Sequence, residues 1–130
     1  MTTQLKEHTQ VLEARIQCLI DKLVDSYYQK YPDGYIEYRI DKGTKYYKLV
    51  QRDTAVCVRS FIEREKYYKV APSNAGTSVH AFISRQTGCV YKPASFKAPA
   101  KHVRYNLLDD VSFATCIQDA DHVGFYLYMR

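Results

Sequence analysis

Lys92, Phe96, Lys97, Lys101, His102, Arg104, Tyr105 and Asn106 fall in one short run that interleaves cations with aromatic rings and an amide. Ammonium and guanidinium groups neutralise phosphates, and aromatic rings stack on bases for roughly 1–3 kcal/mol each. Asn106 is suited to reading a base edge or to capping a following helix. The run lies in a longer stretch, from Lys66 to Leu108, without a single Asp or Glu; its cations are Lys66, Lys69, Arg85, Lys92, Lys97, Lys101 and Arg104. Such a stretch points to an anionic partner, nucleic acid or a nucleotide. A solvated loop that only keeps the chain soluble, or a contact with another protein, are the competing readings.

Other residue types offer less. Arg39, Arg52, Arg59 and Arg64 fall on predicted strands, where Arg59 either meets Glu37 or Glu63 across strands or faces a cavity as a phosphate fork. His80 and His102 have Ser78 and Ser95 near in sequence, but the spacing supports no nucleophile–base pair. His8, His80, His102 and His122 form no His-x-x-x-His pattern, so no metal and no cofactor is expected. Walker, Gly-x-Gly-x-x-Gly and Gly-x-Ser-x-Gly motifs are absent. The chain reads as a non-enzymatic binder.

The elements that must position these residues follow from periodicity. Leu5, Leu12, Ile16, Leu19 and Leu23 form a narrow stripe on a predicted helix over 3–30, about 40 Å long at 1.5 Å per residue. The stripe either covers a sheet of its own chain or forms the seam of a homo-oligomer. Pro32-Asp33-Gly34 stops the helix. A β-rich core follows over 35–93, with strands expected over 35–41, 45–52, 55–64, 67–70, 78–84 and 89–92. The hairpins turn at 41–44 and 85–88, and 72–77 is read as a loop. On the second strand Tyr47 and Leu49 share one face, and Tyr46, Lys48 and Val50 the other; His80 shares a face with Phe82.

Residues 93–106 have no clean period, and Pro93 and Pro99 break them up, so an irregular basic loop is expected. A short helix over about 110–118 is capped by Asp109 or Asp110, with Val111, Ala114 and Ile117 inward. Val123, Phe125, Leu127 and Met129 alternate with Gly124, Tyr126 and Tyr128, which predicts a final strand over 123–129. The fold class is thus α+β: one domain over 1–130, a long N-terminal helix packed on an antiparallel meander of about 5–7 strands.

Composition agrees with a single packed domain. The 130 residues carry a net charge of +5 and thirteen Tyr but no Trp; Tyr packs its ring while keeping its hydroxyl wet. Cys18, Cys57, Cys89 and Cys116 lack Cys-x-x-Cys spacing and read as four buried free thiols. The polar N-terminus has no signal-peptide pattern, and no apolar run approaches the roughly 20 residues that span a bilayer, so a cytosolic protein with no membrane contact is expected.

The segments Val79-His80-Ala81-Phe82-Ile83, Thr87 to Lys101 and Arg104-Tyr105-Asn106-Leu107-Leu108 resemble a small protein family of tailed bacteriophages. The shared pattern is Gly-x-Val-Tyr-Lys-x-Ala-Ser-x-Lys-Ala-Pro-Ala-Lys-x-x-Arg-x-Asn, and the ending Gly124-Phe125-Tyr126-Leu127-Tyr128 is similar too. Members often have Asp or Glu where Cys89 stands and Trp where Phe96 stands. The resemblance implies a phage protein, in the host cytoplasm during infection or in the virion. Capture of a host nucleotide signal, a virion or assembly role, and a small nuclease remain open beside nucleic-acid binding.

Overall fold

The structure is a computed structural model that describes residues 2–53 and 77–128. Helix α1 (Thr2–Lys30) is followed by strands β1 (Ile36–Lys42), β2 (Tyr46–Asp53), β3 (Thr77–Ser84), β4 (Cys89–Pro93) and β5 (Pro99–Asn106). Helix α2 (Asp110–Asp119) and a 3-10 turn (Phe125–Leu127) complete the order. The five strands form one antiparallel sheet in sequence order, with β1 and β5 at its edges. The fold is α+β, as predicted. The strands expected over 55–64 and 67–70, the loop from 72 to 76, and Cys57, Arg59, Arg64, Lys66, Lys69 and Met129 lie outside the described residues, as does the side chain of Leu5.

Helix α1 forms because its apolar residues repeat at three and four. Leu12, Ile16, Leu19, Leu23 and Tyr27 are all fully buried. Leu12, Ile16, Leu19 and Leu23 pack in one core with Tyr47, Leu49, Ala81, Ile83, Val90 and Leu107. Burying each such Leu or Ile contributes roughly 2 kcal/mol. The described part of the stripe, Leu12, Ile16, Leu19 and Leu23, therefore covers the sheet of its own chain. The helix ends where Gly34 lets the chain pass under Tyr27: a Cβ there would collide with the Tyr27 hydroxyl, which donates to Asp53 at 3.0 Å. Arg15 ties α1 to the far end of the fold, donating to the Leu107 carbonyl at 2.7 Å and to Asp110 at 2.6 Å.

Four details differ from the expectations. First, the basic loop over 93–106 is mostly strand: β5 pairs with β4 in a register that includes Val90↔Tyr105 and Pro93↔Pro99, leaving only 94–98 as the tip. An edge strand holds by main-chain pairing, so its exposed residues show no alternation, and Pro is tolerated at its first position. Second, the final strand is replaced by the 3-10 turn. The Asp121 carboxylate accepts from the Gly124 and Phe125 amides at 2.7 and 3.2 Å, and Gly124 is left-handed at φ 92°, which turns the chain.

Third, of the three residues expected inward on α2 only Ile117 is. Val111 and Ala114 are exposed, whereas Cys116 is buried and Phe113 and Ile117 pack on the core. Asp109 stands at the N-cap but makes no side-chain cap hydrogen bond. Fourth, the thiols are not uniformly buried. Cys18 is exposed on the polar side of α1, and Cys89 is half-buried. Among the described thiols only Cys116 is sealed, and burial pushes it up to about 12, which leaves it unreactive.

Among the described residues no helix is long and apolar enough to cross a membrane.

Candidate functional site

Alternation along β2 divides the sheet. Tyr47 and Leu49 point into the core beneath α1, while Tyr46 and Lys48 point to the opposite, outer face. Cross-strand pairing then sets Lys48 beside Phe82 on β3, and Phe82 beside Tyr91 on β4. The Tyr46 ring meets Phe82 and Tyr91 edge-to-face at 5.9 and 6.0 Å, a favoured geometry for aromatic pairs.

The β4–β5 hairpin folds its tip toward this face. The tip is pinned by its own backbone: the Ala94 and Ser95 amides donate to the Ala98 carbonyl at 3.0 and 3.1 Å. The Ser95 hydroxyl accepts from the Lys97 and Ala98 amides at 3.2 Å each. Phe96 is thereby held out, 49% exposed, with the Lys48 ammonium 4.3 Å over its ring. Lys48 also lies 5.8 Å from the Phe82 ring, and Lys45 lies 5.4 Å from Tyr46.

Two recesses flank this contact. One, of about 340 Å³, is lined by Lys45, Tyr46, Lys48, Phe82 and Lys97, together with the β1–β2 turn. The other, of about 580 Å³, is lined by Tyr35, Tyr38, Val50, Thr77 and Phe96, with Glu37, Arg39 and Arg52 at its rim. Two nearby charge pairs are already matched. Arg39 holds Asp41 at 2.8 and 3.2 Å, and Lys42 holds Glu13 at 2.8 Å. The Lys42 hydrogen bond keeps the Glu13 carboxyl below its usual range. Lys45, Lys48 and Lys97 make no ion pair with a described carboxylate.

Of the eight residues singled out in the sequence, the structure brings together only Phe96 and Lys97 on this face. Arg104 faces the other way: its Nε donates to the Leu127 carbonyl and its Nη1 to the His102 carbonyl at 2.7 Å. Tyr105 donates toward Asp119 and the Tyr126 carbonyl, both at 3.2 Å. Lys92 lies 3.9 Å over the Tyr128 ring. Asn106 shapes the turn into α2, its Oδ1 accepting from the Leu108 amide at 2.9 Å. Lys101 and His102 are exposed on edge strand β5. Sequence reasoning missed Lys45, Tyr46, Lys48 and Phe82 as partners of the hairpin, although period-two alternation had already set Tyr46 and Lys48 on one face.

Two histidines, His80 and His122, are held inside the fold. In the register of β2 with β3, Leu49 faces Ala81 and Val50 faces Val79, so His80 is an extra, unpaired residue. This bulge turns His80 away from Phe82. Its Nε2 lies 2.7 Å from the Tyr126 hydroxyl, and its ring sits edge-on to Tyr38 at 6.2 Å. Burial lowers His80 to about 4. His122, lowered by burial too, shares a 3.0 Å hydrogen bond with Ser26. Among the described residues no group of His, Cys, Asp or Glu is arranged to hold a metal ion.

Comparison with known proteins gives one finding about the whole chain. No curated protein matches it, and no solved structure does. A family model does match, over residues 63–129, just over half of the 130. It takes in β3, β4, β5, α2 and the terminal turn, and so Phe82, Phe96 and Lys97 but not Lys45 or Lys48. The chain belongs to this group, described as a family of unknown function (DUF7717).

Proposed function

We propose that the protein is a non-enzymatic binder of a phosphate-bearing ligand, nucleic acid or nucleotide, held on the outer face of the sheet. The carrying observation is the Lys48 ammonium over the exposed Phe96 ring, with Lys45 and Lys97 beside it and none of the three in an ion pair with a described carboxylate. Cations near aromatic rings supply both parts that a nucleotide needs, charge for phosphate and a π-face for the base. The polar groups of Arg104, Tyr105 and Asn106 are taken up within the fold, which moves the proposed site from the whole basic run to its tip. The setting we propose is a tailed-phage infection, and it rests on the resemblance carried by the segments between Val79 and Leu108 and by the ending Gly124-Phe125-Tyr126-Leu127-Tyr128.

The test is charge reversal. Lys48→Glu with Lys97→Glu should weaken binding of a fluorescein-labelled oligothymidylate and of a labelled nucleoside triphosphate at least tenfold in anisotropy titrations. The melting temperature should stay within a few degrees. For a wild-type site of three lysines on a single strand, log K against log salt should have a slope of about −2. Undiminished binding by the folded double variant would place the ligand elsewhere.

A further inference from the structure

Resting on that reading, we infer that the ligand is an unpaired nucleic-acid strand of at least two nucleotides, with one base in each recess and the linking phosphate over Lys48. Among the described residues Lys48 links the two halves of the arrangement. It lines the basic recess and also lies over the Phe96 ring, which lines the second recess. One face of Phe96 is backed by the Lys48 ammonium, and the ring is half exposed, within reach of a base. The second recess offers a further ring in Tyr35, 51% exposed. The basic recess has its own ring in Tyr46, backed by Lys45, and its floor in Phe82.

Three consequences follow from this placement. A mononucleotide fills one recess and leaves the other empty, so a linked pair of bases gains a second stacking contact without a second association cost. A duplex keeps its base faces inside its own stack and cannot place one against Phe96. Lys48, between the recesses, is where a backbone joining two bases must cross, which matches its lack of a described carboxylate partner. Stacking on open aromatic surfaces is tolerant of sequence, so the shared chemistry is an unpaired base and a phosphodiester, from DNA or RNA.

The experiment uses the full chain with thymidine monophosphate, 5′-phosphorylated dT2, dT12, rU12 and a twelve-base-pair duplex, at one salt concentration. Because the chain has no tryptophan, Phe96→Trp adds a single reporter whose emission a stacked base quenches. The expected results are affinity for dT2 at least tenfold above that for the monophosphate, weak duplex binding, and quenching of Trp at position 96 by dT2 and dT12. Phe96→Ala should lose about 5- to 150-fold in affinity for dT2 and dT12. The ratio of dT12 to rU12 affinity assigns the sugar, and tight binding of either supports the inference. Equal affinity for monophosphate and dT2, a duplex bound as tightly as dT12, or an indifferent Phe96→Ala overturns the two-base strand while leaving a phosphate binder. Failure to bind every probe overturns the phosphate-binding reading itself.

Discussion

The tip of the β4–β5 hairpin and the body of β5 come from one acid-free basic run, yet they face opposite tasks. Along β5, Arg104 and Tyr105 turn their polar atoms to the terminal turn: Arg104 to the Leu127 carbonyl, Tyr105 to Asp119 and the Tyr126 carbonyl. At the tip, Lys97 and Phe96 are exposed, and the tip's own amides and the Ser95 hydroxyl hold the loop in shape without them. Charge in a sequence thus marks a ligand surface only where backbone partners leave it unused. A guanidinium, with five donors in a fixed fork, is readily captured by carbonyls; an ammonium on a flexible stem at a hairpin tip is not.

If the division is real, its largest signature is an acid sensitivity on the inward side. The terminal turn that Arg104 holds also covers His80, whose ring meets the Tyr126 hydroxyl and Tyr38 and feels the charges of Asp121 and His122. His80 titrates near 4 in the fold against 6.5 when unperturbed. Between those values the unfolded chain takes up a proton that the folded one refuses. The contribution is therefore whole above about pH 6.5 and is lost as pH falls toward 4, up to roughly 3 kcal/mol. His122 acts in the same direction. Urea titrations at pH 7, 5.5 and 4.5 should show the midpoint falling, and His80→Gln should flatten that trend. A midpoint equally pH-dependent in the variant would remove His80 from the account.

Next in size is Arg104→Ala, which leaves the Leu127 carbonyl without its guanidinium donor. Hydrogen bonds to a charged group are worth about 1.5–3 kcal/mol, so a loss of about 2 kcal/mol in denaturant unfolding is expected. Arg104→Lys should recover part of it. Neither variant should change the affinity of the folded protein for dT12. A stable Arg104→Ala that binds poorly would invert the assignment, making β5 the ligand surface.

The sequence made some of this plain and hid the rest for physical reasons. The α1 stripe was legible because a helix buried on one side must repeat at three and four, and Leu12, Ile16, Leu19 and Leu23 do. Strand β5 was not, because three successive residues of this edge strand, Lys101, His102 and Val103, are all exposed and break any alternation. The terminal alternation misled because Asp121 and a left-handed Gly124 turn the chain before it can extend. At the candidate site the residue types were legible and their directions were not. Arg104 and Lys97 differ in role through a carbonyl 23 residues further along the chain. Lys48 joins Phe96 only because the hairpin folds back across β2, a contact between positions far apart in sequence.

The finest probe of the contrast is Lys97→Ala. The side chain is exposed and makes no described ion pair, so stability should change by no more than about 0.5 kcal/mol, as for ordinary surface positions. Binding should respond where stability does not. Removing one of three cations should lower the salt slope of log K by about 0.7 for a single strand, and affinity at low salt by a severalfold factor that shrinks as salt rises. Lys101→Ala, an exposed lysine on β5 outside both recesses, is the matched control and should leave the slope nearly unchanged. Equal effects from the two would mean that the basic run acts through diffuse charge. A change confined to Lys97 would mean that position on the outer face, rather than net charge, decides what this surface binds.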